Sequence, residues 1–127
     1  FYYKQNNDQE GLKHLASLWK QFRSLWANFV IVAQAVEKTD GIICIEWPRR
    51  CKYWYDRRVV SFTKPRSFFE SRIHGCAYGL VDNNKVPILK PWTVKSTSKL
   101  LSDGLARECD GLHEHVHCGG KLCKSSD

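Results

Sequence analysis

The sequence of 127 residues contains no methionine and begins at Phe1. Average composition would place roughly two or three methionines in a chain of this length. Because translation starts with methionine, this absence predicts an internal piece or a processed product, with any targeting sequence upstream of Phe1. Long apolar runs are lacking too, since the longest, 29–33, falls far short of the roughly 18 residues of a membrane span. The sequence therefore predicts no membrane-spanning segment.

Glycine and proline are scarce, with eight and four residues, whereas 43% of the chain is hydrophobic and 13% is aromatic. So many apolar side chains can offset the entropy of an ordered chain, which excludes disorder for most of it. The length predicts one domain or part of one. We expect a partial α/β domain over 1–106 and a Cys/His-rich tail over 107–127.

Basic residues exceed acidic ones by seven, and the excess is concentrated in one stretch. Residues 49–72 contain eight basic and two acidic side chains, interleaved with aromatic rings. Cations can contact phosphates and rings can stack on bases, so the stretch predicts a nucleic-acid surface. The alternative is a solvated helix face whose rings serve the core. The candidate nucleic-acid contacts are Arg49, Arg50, Lys52, Arg57, Arg58, Lys90 and Trp92.

A long amphipathic helix is predicted over about 12–36, because apolar residues alternate there at intervals of three and four. Its stripe is Leu12, Leu15, Trp19, Phe22, Trp26, Phe29, Ala33 and Val36. Asn6, Asn7 or Asp8 can cap its start, and Asp40-Gly41 ends it. A coiled coil has the same spacing, but the bulky rings favour packing on a sheet.

The next segments predict an α/β arrangement. The apolar run 42–45 is typical of a strand buried on both faces of a parallel sheet. A basic helix or helical loop follows over 49–62. An antiparallel hairpin comes next, with strands over 73–81 and 86–97 joined by a turn at 82–85. The last predicted element is a short helix over 98–106, which Ser98 caps.

The tail after residue 106 is polar and glycine-rich, so we expect bound metal to order it. Its candidate ligands for a structural zinc are Cys109, His113, His115 and Cys118. The alternatives are an exposed tail with incidental histidines, a disulfide, or a catalytic metal. Cys44 and Cys76 lie in apolar runs and are interpreted as buried core residues, although Cys76 could share a strand face with His74.

The order of elements resembles the second half of the sheet in C5-type DNA cytosine methyltransferases. Residues 42–48, Ile-Ile-Cys-Ile-Glu-Trp-Pro, are similar to their strand with a Glu-Asn-Val motif, and residues 76–81 with Val86-Pro87 are similar to the segment that opens their closing hairpin. A further resemblance is to methyltransferase-like proteins encoded near retroelement genes. It rests on Glu46-Trp47-Pro48, His74-Gly75-Cys76, Lys90-Pro91-Trp92, and Cys109-Asp110 with His113-Glu114-His115, and it covers most of 11–118.

This resemblance implies a Rossmann-like fold of which the chain forms roughly the C-terminal half. It implies that Glu46 contacts and protonates a cytosine ring nitrogen. The alternative is that Glu46 pairs with Arg49 or Arg50. The family's Pro-Cys loop and its glycine-rich loop for S-adenosylmethionine are missing from the sequence, and Trp47-Pro48 replaces Asn-Val. We therefore expect no activity from this piece alone, and cofactor binding only with an upstream half.

Two functions follow from these observations. The first is a fragment of a DNA-associated, methyltransferase-like protein, which would be nuclear. The second is a non-enzymatic, basic, zinc-stabilised nucleic-acid-binding module of a mobile-element protein. Both predict nucleic acid, DNA in particular, as the partner and no membrane.

Overall fold

The computed structural model describes residues 8–117, and contacts divide the chain into two compact units with a boundary at Gly41. In the described part of the first unit, Phe1–Gly41, lies a long helix. The described part of the second unit, Ile42–Asp127, contains a three-stranded sheet and two short α-helices. The protein thus combines helices with an antiparallel sheet, and each unit is described by itself below.

Helix α1 (Gln9–Glu37) confirms the predicted long helix. The side chain of Asp8 caps it by accepting a hydrogen bond from the Gly11 amide. Its most buried apolar side chains, Phe22, Trp26 and Ala33, share the face that the sequence stripe predicts. Within residues 8–117, no helix combines the length and the apolar character that crossing a bilayer requires.

The sheet consists of β1 (Cys44–Pro48), β2 (Phe69–His74) and β3 (Pro91–Ser96) in the order β1-β3-β2. Strand β3 lies in the centre and is antiparallel to both neighbours. The predicted parallel, Rossmann-like sheet is therefore not found in the described residues. The physical reason is that the later strand β3 inserts between β1 and β2, which run in the same direction but do not pair.

The burial of β1 also differs from the prediction. Ile43 and Ile45 are buried, but Ile42 is 57% exposed and Cys44 is exposed as well. This alternation is typical of an antiparallel strand with one packed face, not of a strand buried on both. The Cys44 thiol, interpreted above as a core group, donates instead to the Ser96 hydroxyl at 3.3 Å.

Two short helical segments join β1 to β2, where a basic helix was predicted. A 3₁₀ turn (Lys52–Tyr55) precedes α2 (Arg57–Thr63). The Trp54 indole donates to the Pro48 carbonyl at 3.1 Å, and its ring contacts Trp47 with centroids 4.6 Å apart. These contacts fix the turn against the end of β1.

The predicted hairpin is present in part. Its turn at 82–85 is confirmed, because the Asp82 carboxylate accepts from the amides of Asn84 and Val86 at 2.8 Å each. The prediction of a first strand over 73–81 is wrong, because β2 ends at His74 and a 3₁₀ turn (Gly75–Tyr78) follows. The last helix, α3 (Lys99–Leu105), begins after Ser98, whose hydroxyl accepts from the Leu101 amide as predicted.

The segment after α3 is held against the sheet unit at two points. Arg107 bridges the free edge of β2, where its amide donates to the Arg72 carbonyl and its carbonyl accepts from the His74 amide. Further on, the Val116 amide donates to the Pro87 carbonyl at 3.0 Å. Residues 107–116 therefore form a loop that is anchored at both ends.

Helix α3 packs on β2 and β3 through a buried pair of serines, which generates a stability prediction. The Ser71 hydroxyl donates to the Ser102 carbonyl at 2.6 Å and lies 2.7 Å from the Ser102 hydroxyl. Ser71→Ala leaves the buried Ser102 hydroxyl without its acceptor, so it should lower the free energy of unfolding by about 1–3 kcal/mol. Urea denaturation measures this loss.

Ser102→Ala is the matched control, because it leaves the Ser71 hydroxyl bonded to the Ser102 carbonyl. We expect the smaller loss from this variant. A larger loss from Ser102→Ala than from Ser71→Ala would contradict the assigned directions of the two hydrogen bonds.

Candidate metal centre

Segments distant in sequence meet at one end of the sheet, where β1 and β2 end and β3 begins. The strand register places Pro48 opposite Trp92 and His74 opposite Pro91. The turn that contains Cys76 follows β2 directly, and the anchored loop 107–116 lies beside it. Four motifs that the sequence singles out are thereby brought to one end of the sheet.

Cys76, Cys109, His113 and His115, here called the Cys/His cluster, form a potential metal site. One ligand atom from each lies within 4.8 Å of all the others. The Cys109 thiol is 3.4 Å from the Nε2 atoms of both His113 and His115. Two sulfurs and two imidazoles at this spacing could hold a metal ion.

Three of the four predicted ligands, Cys109, His113 and His115, are in this cluster together with Cys76. Cys118 lies outside the described residues. Cys76, which the sequence places in the core of a strand, lies instead on the 3₁₀ turn and contributes its thiol to the cluster. The three cysteines Cys44, Cys51 and Cys76, like Cys109, are free thiols.

The sequence signal that could have indicated Cys76 is the glycine that follows it. Each cysteine of the cluster is followed within three residues by a glycine with positive φ, Gly79 at 83° and Gly111 at 76°. Glycine adopts this conformation without steric cost and turns the chain back on itself. In the second turn the Gly111 amide donates to the Cys109 sulfur at 3.3 Å. Such a bond stabilises a thiolate, the form in which cysteine binds metal.

Outer contacts orient two members of the cluster. The Cys109 amide donates to His74 Nδ1 at 2.8 Å, which ties Cys109 to the end of β2. His113 points its Nε2 at the Cys109 sulfur, while its Nδ1 lies 3.7 Å from the Asp110 carboxylate. A carboxylate behind a histidine is a common outer arrangement at metal sites, because it fixes the ring orientation.

The pKa shifts at this end of the sheet are caused mainly by burial. Burial raises the pKa of the Cys76 thiol, and the hydrogen bond and charge of Cys109 raise it further. Burial also lowers the pKa of His74, with the Arg49 guanidinium and His115 acting in the same direction and Glu108 against it. His74 is therefore neutral near pH 7, and its Nδ1 can accept from Cys109.

Beside the cluster lies a basic rim, which consists of Arg49, Arg50, Lys90 and Trp92. The Arg49 amide donates to the Pro91 carbonyl at 3.1 Å, and its guanidinium contacts Glu108 at 3.5 Å and His74 Nε2 at 3.4 Å. The Lys90 ammonium lies over the Trp92 ring, 4.7 Å from its centroid. Both Arg50 and Lys90 are exposed.

The other predicted nucleic-acid residues lie on the segments between β1 and β2. Lys52 is exposed on the 3₁₀ turn, and Arg57 is exposed at the start of α2. Arg58 pairs with Asp56 at 3.4 Å, so part of its charge is neutralised within the protein.

Glu46, the predicted catalytic residue, is exposed on β1 opposite Val94 of β3. The guanidinium of Arg49 pairs with Glu108 and not with Glu46. The role of Glu46 in contacting a base stays a prediction.

No family model, no curated protein and no solved structure matches this chain. The resemblance to C5-type cytosine methyltransferases, and the S-adenosylmethionine site that it implies upstream, stay predictions.

Proposed function

We propose that this chain is a non-enzymatic nucleic-acid-binding module that a structural zinc ion stabilises. The observation that carries the proposal is the position of the Cys/His cluster next to the basic rim, at one end of the sheet. Zinc would hold Cys76, Cys109, His113 and His115 together, and DNA would bind across Arg49, Arg50, Lys90 and Trp92.

The ligand distances support zinc. Zn–S bonds of about 2.3 Å and Zn–N bonds of about 2.0–2.1 Å at tetrahedral angles put sulfur and nitrogen ligands about 3.6 Å apart. The Cys109 sulfur lies 3.4 Å from both histidine nitrogens, so the ligands need little movement to close on the ion. A dication would also favour the thiolate forms of Cys76 and Cys109, each of which would then bind the metal.

A structural role fits this cluster better than a catalytic one. Catalytic zinc sites keep one position open for water or substrate, whereas two cysteines and two histidines fill a tetrahedron. The described part of the loop 107–116 also has few apolar side chains, and Leu112 among them is 85% exposed. Metal ligation would supply the order that hydrophobic burial cannot supply here.

The basic rim has the features of a phosphate contact. Arg49 Nε is buried and has no hydrogen-bond partner within residues 8–117. The Arg49 side chain as a whole is 28% exposed, so a phosphate could reach the exposed part of the guanidinium but not this buried nitrogen. Lys90 carries its cation above Trp92, so a base that stacks on the ring would release the ammonium to a phosphate.

The methyltransferase-like function receives less support from the geometry. It predicts Glu46 at the end of a parallel strand, in a crevice where ligands bind. Strand β1 instead lies at the edge of an antiparallel sheet, and Glu46 is exposed there. A binding module needs no such crevice, and both proposals share DNA as the partner.

Metal analysis of the purified chain should find about one zinc ion per molecule. Loss of an outer contact at a metal site typically costs about 10–100-fold in metal affinity. Cys76→Ser removes one of the four ligands themselves, so it should weaken zinc binding by more than that. Competition with a chromophoric chelator measures the affinity.

Two further serine variants serve as controls for that experiment. Cys44→Ser should keep full zinc affinity, because the Cys44 thiol only contacts the Ser96 hydroxyl. Cys118→Ser should also keep it. If Cys118→Ser releases the zinc and Cys76→Ser retains it, the assignment of Cys76 is wrong and the sequence-based ligand set is right.

DNA affinity should fall steeply with salt, because protein cations displace counterions from phosphates. Arg50→Gln and Lys90→Gln should each reduce the slope of log affinity against log salt by about one. Fluorescence anisotropy of a labelled oligonucleotide at several salt concentrations measures the slope.

Lys99→Gln is the matched control for DNA binding, since Lys99 is exposed on α3 and pairs with Asp103 at 2.6 Å. It should leave the slope unchanged. Affinity that does not respond to salt, or equal effects of all three variants, would refute the basic rim as the contact surface.

A further inference from the structure

A second concave site lies away from the Cys/His cluster, where α2 ends and β2 begins. It is an open cavity of about 410 Å³, within the size range of small-ligand pockets. Its lining includes Lys64, Arg66, Ser67, Phe68, Glu70 and Lys95. Glu70 and Lys95 pair in register four residues from His74 and Pro91, so they lie about 13 Å along the strands from the end of the sheet next to the cluster.

One wall of the cavity is fixed by contacts at the end of α2. Arg66 donates from Nη1 to the Phe62 carbonyl at 2.8 Å, and its guanidinium lies 3.9 Å from the centroid of the Phe62 ring. Phe68 contacts the same ring, with centroids 6.1 Å apart. Phe68 is partly exposed and lines the cavity, so it provides there an aromatic ring whose position is fixed by Phe62.

The charges in the cavity are not neutralised by one another. Glu70 and Lys95 are opposite on the same face of the sheet, yet the Lys95 ammonium lies over the Trp54 ring, 5.0 Å from its centroid. Among residues 8–117, no ion pair involves Lys64, Glu70 or Lys95. Lys64 and Lys95 against the single carboxylate of Glu70 leave an excess of positive charge that favours an anion.

The combination of groups identifies the class of anion. Cations recognise phosphate, an aromatic ring stacks on a base, and a carboxylate accepts hydrogen bonds from sugar hydroxyls or an amino group. We infer that this cavity binds a phosphorylated nucleoside. Lys64 and Lys95 contact the phosphate, the base stacks on Phe68, and Glu70 accepts from the sugar or the base. The nucleoside is either a free nucleotide or one unit of a nucleic-acid strand.

Titration of the full, zinc-loaded chain with adenosine 5′-monophosphate, followed by amide chemical shifts, tests this site. The largest shifts should occur at Ser67, Glu70 and Lys95. The nucleotide should bind at least about tenfold more tightly than inorganic phosphate or adenosine, because neither fragment makes all the contacts. Equal affinity for the nucleotide and for inorganic phosphate would overturn the assignment.

Variants locate the contacts. Lys64→Gln with Lys95→Gln should weaken nucleotide binding by about tenfold or more, whereas Lys99→Gln should change it less than about twofold. Glu70→Gln should weaken binding of the nucleotide but not of inorganic phosphate. Equal losses from the double variant and from Lys99→Gln would refute the cavity as the site.

Competition separates the two sources of the ligand. Displacement of the nucleotide by a single-stranded oligonucleotide would assign the cavity to a bound strand, and lack of displacement would assign it to a free nucleotide. A nucleotide bound at the basic rim would shift the amides of Arg50, Lys90 and Trp92 and not those of Ser67, Glu70 and Lys95, so the two sites are distinguished in the titration. Failure of that titration with salt-dependent DNA binding intact would therefore refute the cavity alone.

Discussion

The contacts of His74 connect the parts of the sheet unit that carry its chemistry. Its amide pairs with Arg107 at the edge of β2, its Nδ1 accepts from the Cys109 amide, and its Nε2 faces the Arg49 guanidinium. One imidazole at the end of a strand thereby links the loop 107–116 to the basic rim. Burial and the Arg49 guanidinium lower the pKa of His74 and so favour the neutral ring. Only a ring nitrogen without a proton can accept a hydrogen bond from the Cys109 amide.

A metal ion in the Cys/His cluster and the backbone hydrogen bonds would constrain the loop 107–116 at different points. Hydrogen bonds hold its ends at Arg107 and Val116, and the cluster joins its interior to the turn after β2. Ligands that are already close lose little chain entropy when the ion binds, which favours high affinity. The sheet, with its serine pair between β2 and α3, provides the rigid base for this arrangement.

Local chemistry made several elements predictable from sequence. The spacing of apolar residues predicts α1, and a side-chain oxygen at Ser98 or Asp82 predicts a cap or a turn, because each of these depends on near neighbours in the chain. Strand pairing depends on distant residues. The apolar run 42–45 indicates a strand but not its partner, so the central position of β3 could not be inferred from it.

The candidate metal centre was predictable to the extent that its ligands are adjacent in sequence. Cys109, His113 and His115 lie within seven residues, whereas Cys76 comes from a turn more than thirty residues earlier. Its apolar neighbours Ala77 and Leu80 favoured a core strand. Only the end of β2 at His74, and the turn that follows, direct the Cys76 thiol towards the loop.

The backbone of Lys90 has a consequence for how sequence and stability are related in this protein. Its φ of 34° lies in the left-handed region, where a residue with a Cβ atom is strained by about 1 kcal/mol and glycine is not. The Gly75 amide holds this conformation by donating to the carbonyls of Leu89 and Lys90. The chain thus has a lysine at a position where glycine would avoid this backbone strain.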